Sequence, residues 1–171
     1  MRLFLAALPG SEMKKALTEI QDELRRRGIK GNYTKEDNLH LTLAFIGEWP
    51  DPDTVMEALE TLRFEPLELK LTRLGSFGET IWAGTEENEK LSVLVSRLRH
   101  ALSDASIPFD RKRFRAHFTL LRQPVYGRDP ELGLVSVPRA CMRIDRLSLM
   151  LSERSNKGMI YTELDALTAE K

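Results

Sequence analysis

The chain has 171 residues, of which 42% are hydrophobic and 30% charged, and its formal net charge is zero. This composition suits one globular domain with a full apolar core, and it argues against a protein that coats long nucleic acids through a basic surface. No apolar run is long enough to span a bilayer, and a single cysteine, Cys141, excludes an internal disulfide. We therefore expect a cytoplasmic protein with no membrane partner.

The predicted chain combines seven strands with three helices. Strands are predicted where apolar residues cluster or alternate between polar turns, at 2–8, 39–47, 67–74, 80–84, 116–121, 143–152 and 159–164. Helices are predicted where apolar residues recur at helical spacing, at 11–27, 52–62 and 87–102. Pro124 is expected to end the fifth strand. The sum is an α+β protein, and because no strand is followed by a glycine-rich phosphate loop, the sequence argues against a doubly wound nucleotide-binding fold.

Positive charge is concentrated between Phe109 and Arg128, a segment with six basic residues and one acid, Asp110. In a neutral protein, such a local excess favours a confined anion site over a long track for a polyanion. A solvated loop with clustering by chance is an equally good interpretation of the charge alone.

Two of the three histidines stand in the same tetrapeptide pattern, His-x-Thr-Leu, at residues 40–43 and 117–120, and both copies fall on predicted strands. Side chains alternate between the two faces of a strand, so each histidine shares a face with its threonine while the apolar residues share the other. If the strands face each other, two imidazoles and two hydroxyls converge on one cleft. A phosphate suits that cleft, because hydroxyls can donate to its oxygens while imidazoles exchange protons with the attacking and leaving oxygens.

Histidine suits this chemistry because its pKa lies near neutrality, so one ring can accept a proton while the other donates one. No metal or cofactor is required, and the pattern lacks the Cys or carboxylate ligands that usually complete a zinc site. A lone histidine on a strand is usually a structural residue, and the duplication is what favours catalysis. His100, on the third predicted helix, lacks the motif and is expected at the surface.

The sequence resembles the two-histidine phosphoesterase superfamily, and most closely its RNA 2',3'-cyclic phosphodiesterases, also described as 2'-5' RNA ligases. The resemblance covers nearly the whole chain and rests on residues 2–6, 38–48 and 114–122, with the two motif histidines 77 residues apart. It implies a single bilobal domain over 1–171. Two pseudo-symmetric lobes, each an antiparallel sheet with helices packed outside, would enclose the active-site cleft.

The resemblance also implies the reaction and the residue roles. Water would open a 2',3'-cyclic phosphate at an RNA end to a 2'-phosphomonoester, with His117 as general base and His40 as general acid, while Thr42 and Thr119 hold the phosphate oxygens. The reverse reaction, with a 5'-hydroxyl in place of water, would make a 2'-5' linkage. The implied partner is RNA with a 2',3'-cyclic phosphate end, tRNA fragments being among the candidates, and we expect a monomer.

Two arginines are candidates for binding the phosphate or the RNA backbone. Arg115 shares strand parity with His117 and should point at the cleft. Arg122 matches a family arginine just after the second motif, yet parity places it on the opposite face unless the strand twists or bulges before Pro124. A solvated surface role is an equal alternative for both arginines. The aromatic candidates for stacking on a base are Tyr33, Trp82 and Tyr126.

Two other functions stay open at the level of the sequence. The same fold could act on another phosphodiester, such as a cyclic nucleotide, ADP-ribose cyclic phosphate or 2'-5' oligoadenylate, because the four motif residues contact mainly the phosphate. A non-catalytic module could instead recognise an RNA end, although binding alone would be served as well by Arg or Lys in place of one histidine.

Overall fold

An antiparallel sheet organises the fold. The computed structural model describes residues 1–170, which form nine strands and three α-helices. The strands are β1 (Arg2–Ala7), β2 (Lys30–Tyr33), β3 (Leu41–Glu48), β4 (Leu67–Phe77), β5 (Thr80–Thr85), β6 (His117–Val125), β7 (Cys141–Ile144), β8 (Arg146–Ser155) and β9 (Gly158–Thr168). The helices are α1 (Ser11–Arg26), α2 (Pro52–Ala58) and α3 (Glu89–Asp104). Every strand pair in this part of the chain is antiparallel, which confirms the predicted α+β class.

The sheet consists of two half-sheets that meet at β3 and β6. The strand order is β7-β4-β5-β6-β3-β1-β8-β9, and β2 pairs with the second part of β6. β3 and β6 share a single antiparallel pair, Leu41 opposite Phe118. Because β3 and β6 share no further pair, the ladder between the two half-sheets is interrupted at this junction, which we call the cleft.

The helices cover one face of the sheet and enclose the core. Helix α1 buries Met13, Leu17, Ile20 and Leu24 at helical spacing, as the sequence predicts. Helices α2 and α3 begin at the capping residues Asp51 and Asn88, whose side chains accept hydrogen bonds from the backbone N–H groups of Asp53 and Leu91. The opposite face of the sheet is left free of helices at the β3–β6 junction.

The observed elements differ from the predicted ones in several places. Helix α2 ends at Ala58, although Leu59 and Leu62 continue its buried face through a following turn. The predicted strand 143–152 is two strands, with β7 on β4 and β8 on β1. Strand β2 was not predicted, because its sequence has no apolar alternation.

Pro124 lies inside β6 rather than at its end. The pairing of β6 with β2 is irregular there, because Gly31 faces both Gln123 and Pro124 between the pairs Asn32–Arg122 and Lys30–Val125. A proline is tolerated at such a bulge because no ladder hydrogen bond requires its missing N–H group.

No helix within residues 1–170 is long and apolar enough to cross a membrane.

Candidate active site at the junction of the half-sheets

The two predicted motifs meet at the Leu41–Phe118 pair. In an antiparallel ladder, residues directly opposite each other point to the same face, so the register sets His40 across from Thr119 and Thr42 across from His117. The four apolar motif residues are 0% exposed and belong to the core: Leu41, Leu43, Phe118 and Leu120. The histidines and threonines are half-buried on the face without helices. Both strands therefore show the predicted alternation of buried apolar side chains with half-buried histidine and threonine.

Both imidazoles are held in the same way. The Nδ1 of His40 lies 2.7 Å from the carbonyl oxygen of Asn38, and the Nδ1 of His117 lies 2.6 Å from that of Arg115. A carbonyl oxygen can only accept, so Nδ1 carries the proton and donates in each ring. The neutral form of each histidine therefore presents an unprotonated Nε2, which can take a proton from water or return one to a leaving oxygen.

His40 lies in an aromatic enclosure. Its ring centroid is 4.9 Å from that of Phe4 and 5.2 Å from that of Tyr161, with the tyrosine ring nearly perpendicular. The turn before His40 is fixed to the β8–β9 hairpin, because the Asn38 side chain donates to the carbonyl of Met159. These contacts leave His40 little freedom to rotate.

His117 has aromatic neighbours of its own on the other half-sheet. The Phe77 centroid is 5.3 Å from the imidazole, in an edge-on arrangement, and the Trp82 centroid is 6.2 Å away. His117 also lines a groove of about 830 Å³ along β4 and β5. One histidine is thus enclosed, while the other opens onto a groove.

Burial lowers the pKa of both histidines below the usual value. For His40, burial is the largest cause, the hydrogen bond to the Asn38 carbonyl opposes it, and the positive charges of Arg122 and His117 add to the lowering. For His117, burial again comes first, opposed by the hydrogen bond to Arg115 and reinforced by Arg122. Before an anion binds, the neutral form of both rings is favoured at neutral pH.

Arg122 lies close enough to act on both histidines, although simple parity assigns it to the core face. The reason is a bulge in β6: Thr119 pairs with Trp82 and Leu121 pairs with Ile81, so Leu120 is an extra residue between the two pairs. The bulge points two successive leucines into the core and returns Arg122 to the face of the histidines. The side chain is exposed and has no carboxylate partner among residues 1–170.

Arg115 lies two residues before His117, just outside the start of β6. Its guanidinium carbon is 5.6 Å from the Phe77 ring centroid, and its side chain lines the same groove as His117. Of the three aromatic candidates for base stacking, Trp82 borders this groove. Tyr33 instead packs under Arg25 and donates to the Ile29 carbonyl. Tyr126 is exposed just beyond the end of β6.

Sequence reasoning missed the aromatic neighbours of the histidines. Once β1 is known to lie beside β3, the alternation of side chains along β1 places Phe4 on the same face as His40. Tyr161 and Phe77 come from β9 and β4, whose positions depend on long-range pairing that no local pattern reveals.

No group of three or more His, Cys, Asp or Glu side chains within residues 1–170 is arranged to hold a metal ion.

Solved structures with the same fold define the class. The crystal structure of TT0787 from Thermus thermophilus superposes with a TM-score of 0.78 at 29% sequence identity, covering 98% of this chain and 97% of that one. The apo form of LigT from E. coli has a TM-score of 0.82 at 22% identity, over 99% and 98% of the two chains, and supports the fold alone. A family model described as LigT-like phosphoesterase matches residues 8–84, which include the first motif. The protein is therefore a phosphoesterase of the two-histidine class.

Similar sequences narrow the class to a family. A Thermotoga maritima protein named RNA 2',3'-cyclic phosphodiesterase is 30% identical, over 96% of this chain and 93% of the relative. A Thermus thermophilus protein with the same name is 31% identical, over 96% and 88% of the two chains. The chain belongs to the LigT-like phosphoesterase family, together with these relatives.

Proposed function

We propose that this protein is an RNA 2',3'-cyclic phosphodiesterase that opens the cyclic end to a 2'-phosphomonoester without a metal ion. The names of its relatives support the reaction. The observation that carries the mechanism is the matched anchoring of His40 and His117, each through Nδ1 to the carbonyl two residues earlier. Two Nε2 atoms are thereby presented at one cleft, as an acid–base pair requires.

The proton transfers follow from this arrangement. Nε2 of His117 takes a proton from water as the water oxygen bonds to phosphorus, and the bond from phosphorus to the 3' oxygen breaks. Nε2 of His40, protonated beforehand, gives its proton to the departing 3' oxygen, so charge and atoms balance. The assignment of base and acid follows the family resemblance, since the local hydrogen bonds of the two rings are alike. The reverse course, with a 5'-hydroxyl in place of water, joins two RNA ends by a 2'-5' linkage.

Thr42, Thr119 and Arg122 are proposed to hold the phosphate. The two hydroxyls flank the histidines across the strand junction and can donate to its non-bridging oxygens. Arg122 supplies a positive charge that is free of carboxylates in the described residues. A bound phosphate anion also reverses the pKa lowering of the histidines, because a nearby negative charge favours the imidazolium form. Substrate binding would therefore help to protonate the acid.

The biological setting is part of the same proposal. The substrate is RNA with a 2',3'-cyclic phosphate end, tRNA fragments being among the candidates. We propose that the whole chain, residues 1–171, acts as one bilobal domain, as a monomer, in the cytoplasm.

Removing either histidine should abolish most of the activity. A positioned acid or base contributes about 10²–10⁴-fold in rate, so His40→Ala and His117→Ala should each lower kcat at least about 100-fold on an RNA 2',3'-cyclic phosphate. His100→Ala is the matched control, because His100 is exposed on α3, away from both motifs, and its ring lies beside Asp104. Circular dichroism checks folding, and His40→Asn replaces the alanine variant if that variant unfolds. Wild-type turnover in either variant would contradict the acid–base pair.

Turnover itself separates the enzyme from a module that only binds RNA ends. Hydrolysis should continue in a strong chelator. Its rate, plotted against pH, should fall on both the acid and the alkaline side of an optimum. Loss of activity on chelation, with recovery on adding zinc, would contradict the metal-free mechanism. Tight binding without product would contradict the enzymatic function.

A further inference from the structure

A groove along β4 and β5 extends the active site on the side of His117. Its volume is about 830 Å³, and its lining includes Arg73, Phe77, Trp82, Arg115 and His117. The catalytic phosphate has its own proposed ligands at the strand junction. The groove therefore offers space and charge beyond what hydrolysis of the cyclic phosphate needs.

Two arginines in the groove lie on two aromatic rings. The guanidinium carbon of Arg73 is 5.7 Å from the Trp82 centroid, and that of Arg115 is 5.6 Å from the Phe77 centroid. The two rings contact each other, with centroids 4.7 Å apart. Neither arginine has an ion-pair partner within residues 1–170. Both positive charges are thus positioned by a ring and available to an anion.

The floor of the groove contains unsatisfied polar atoms. The indole Nε1 of Trp82, a residue 8% exposed, and the hydroxyl of Thr85 are buried without a hydrogen-bond partner among the described residues. Buried polar atoms normally find a partner, in the protein or in ordered water, so both atoms have hydrogen-bonding capacity that the described residues leave unused.

The groove lining carries both signs of charge. It includes Arg73, Arg113 and Arg115, and also Glu86, Glu87 and Glu89 around the start of α3. A single strand of nucleic acid offers partners to both, phosphates to the arginines and bases to the glutamates. Carboxylates can accept hydrogen bonds from the amino groups of bases.

We propose that this groove binds the single-stranded RNA next to the cyclic end, with a neighbouring phosphodiester on Arg73 and Arg115 and a base against the Phe77–Trp82 pair. Proteins usually bind single strands by stacking bases on aromatic rings beside positive charges that hold the backbone. The proposal rests on the proposed phosphodiesterase function and adds a substrate preference. A cyclic mononucleotide has one phosphate and leaves both arginines unused, so the enzyme should prefer an oligonucleotide.

The test compares substrate lengths in the wild type and in Arg73→Gln/Arg115→Gln. The wild type should hydrolyse a short oligonucleotide 2',3'-cyclic phosphate with a kcat/KM at least about tenfold above that of the cyclic mononucleotide, mainly through KM. The double variant should lose this preference, and Arg73→Gln alone should lower kcat/KM on the oligonucleotide while it keeps the rate on the mononucleotide. Each lost phosphate contact lowers the slope of log K for binding against log salt concentration by about 0.7 for a single strand. The slope for the oligonucleotide should therefore fall by about 1.4 in the double variant. Arg139→Gln, at an exposed arginine outside the groove, is the matched control.

Equal kcat/KM for the two lengths would overturn the groove proposal, and so would an equal loss on both substrates in Arg73→Gln. A second readout does not depend on hydrolysis. In the variant Trp49→Phe/His117→Ala, Trp82 is the remaining tryptophan, and single-stranded RNA should quench its fluorescence. Quenching without hydrolysis of any cyclic phosphate by the wild type would contradict the proposed function and support the groove. No quenching would contradict the groove alone.

Discussion

At the residue scale, one side chain acts on both histidines. The guanidinium of Arg122 lowers the pKa of His40 and of His117, in addition to the effect of burial. The proposed acid–base mechanism needs one ring charged and one neutral. The pH range in which both conditions hold is therefore displaced to the acid side of the usual histidine pKa in the free enzyme.

Replacing Arg122 should shift the pH profile in a known direction. Arg122→Gln removes a positive charge that disfavours both imidazolium forms, so both pKa values rise and both limbs of the kcat/KM profile move to higher pH. KM for the cyclic phosphate should rise as well, because an ion-assisted hydrogen bond is worth about 1.5–3 kcal/mol, or about 10–100-fold. The profile is measured with Arg139→Gln as control. An unmoved profile, or a shift to lower pH, would show that Arg122 does not act on the pair.

At the element scale, the arrangement of strands decides which residues reach the site. The alternation of β3 and β6 was predictable from the motifs, and it correctly separated the histidines and threonines from the buried leucines. The bulge at Leu120 was foreseen only as the condition under which Arg122 could reach the cleft. Its position could not be derived, because a bulge depends on the partner strand, here the Trp82–Ile81 step of β5.

Packing between β4 and β5 depends on two glycines beneath one indole ring. A Cβ atom at Gly84 would lie 2.7 Å from Cζ3 of Trp82, and one at Gly75 would also clash with that ring. Gly84→Ala should therefore destabilise the protein by about 1–3 kcal/mol, as overpacking does. Chemical denaturation measures the loss, and Gly133→Ala, where an added Cβ meets nothing within 4 Å, is the matched control. Equal stability of the two variants would mean that the Trp82 ring is free to move.

At the scale of the whole molecule, the fold places two similar strand arrangements around one cleft and makes them unequal. His40 is enclosed by Phe4, Tyr161 and the β8–β9 hairpin, whereas His117 borders an open groove. Most strands and helices, and with them the α+β fold class, were predictable from the periodicity of the apolar residues. The order of the strands, the separation of β7 from β8 and the groove were not, because they arise from pairings between residues far apart in sequence.

The most direct test of the acid–base mechanism is the position of the phosphate in the product. An RNA oligonucleotide with a 2',3'-cyclic phosphate end is incubated with the enzyme in a strong chelator, and the product is identified by phosphorus NMR. Protonation of the 3' oxygen by His40 predicts a 2'-phosphomonoester, formed in the chelator at an undiminished rate. A 3'-phosphomonoester, or no reaction until a metal is supplied, would contradict the assigned roles of His40 and His117.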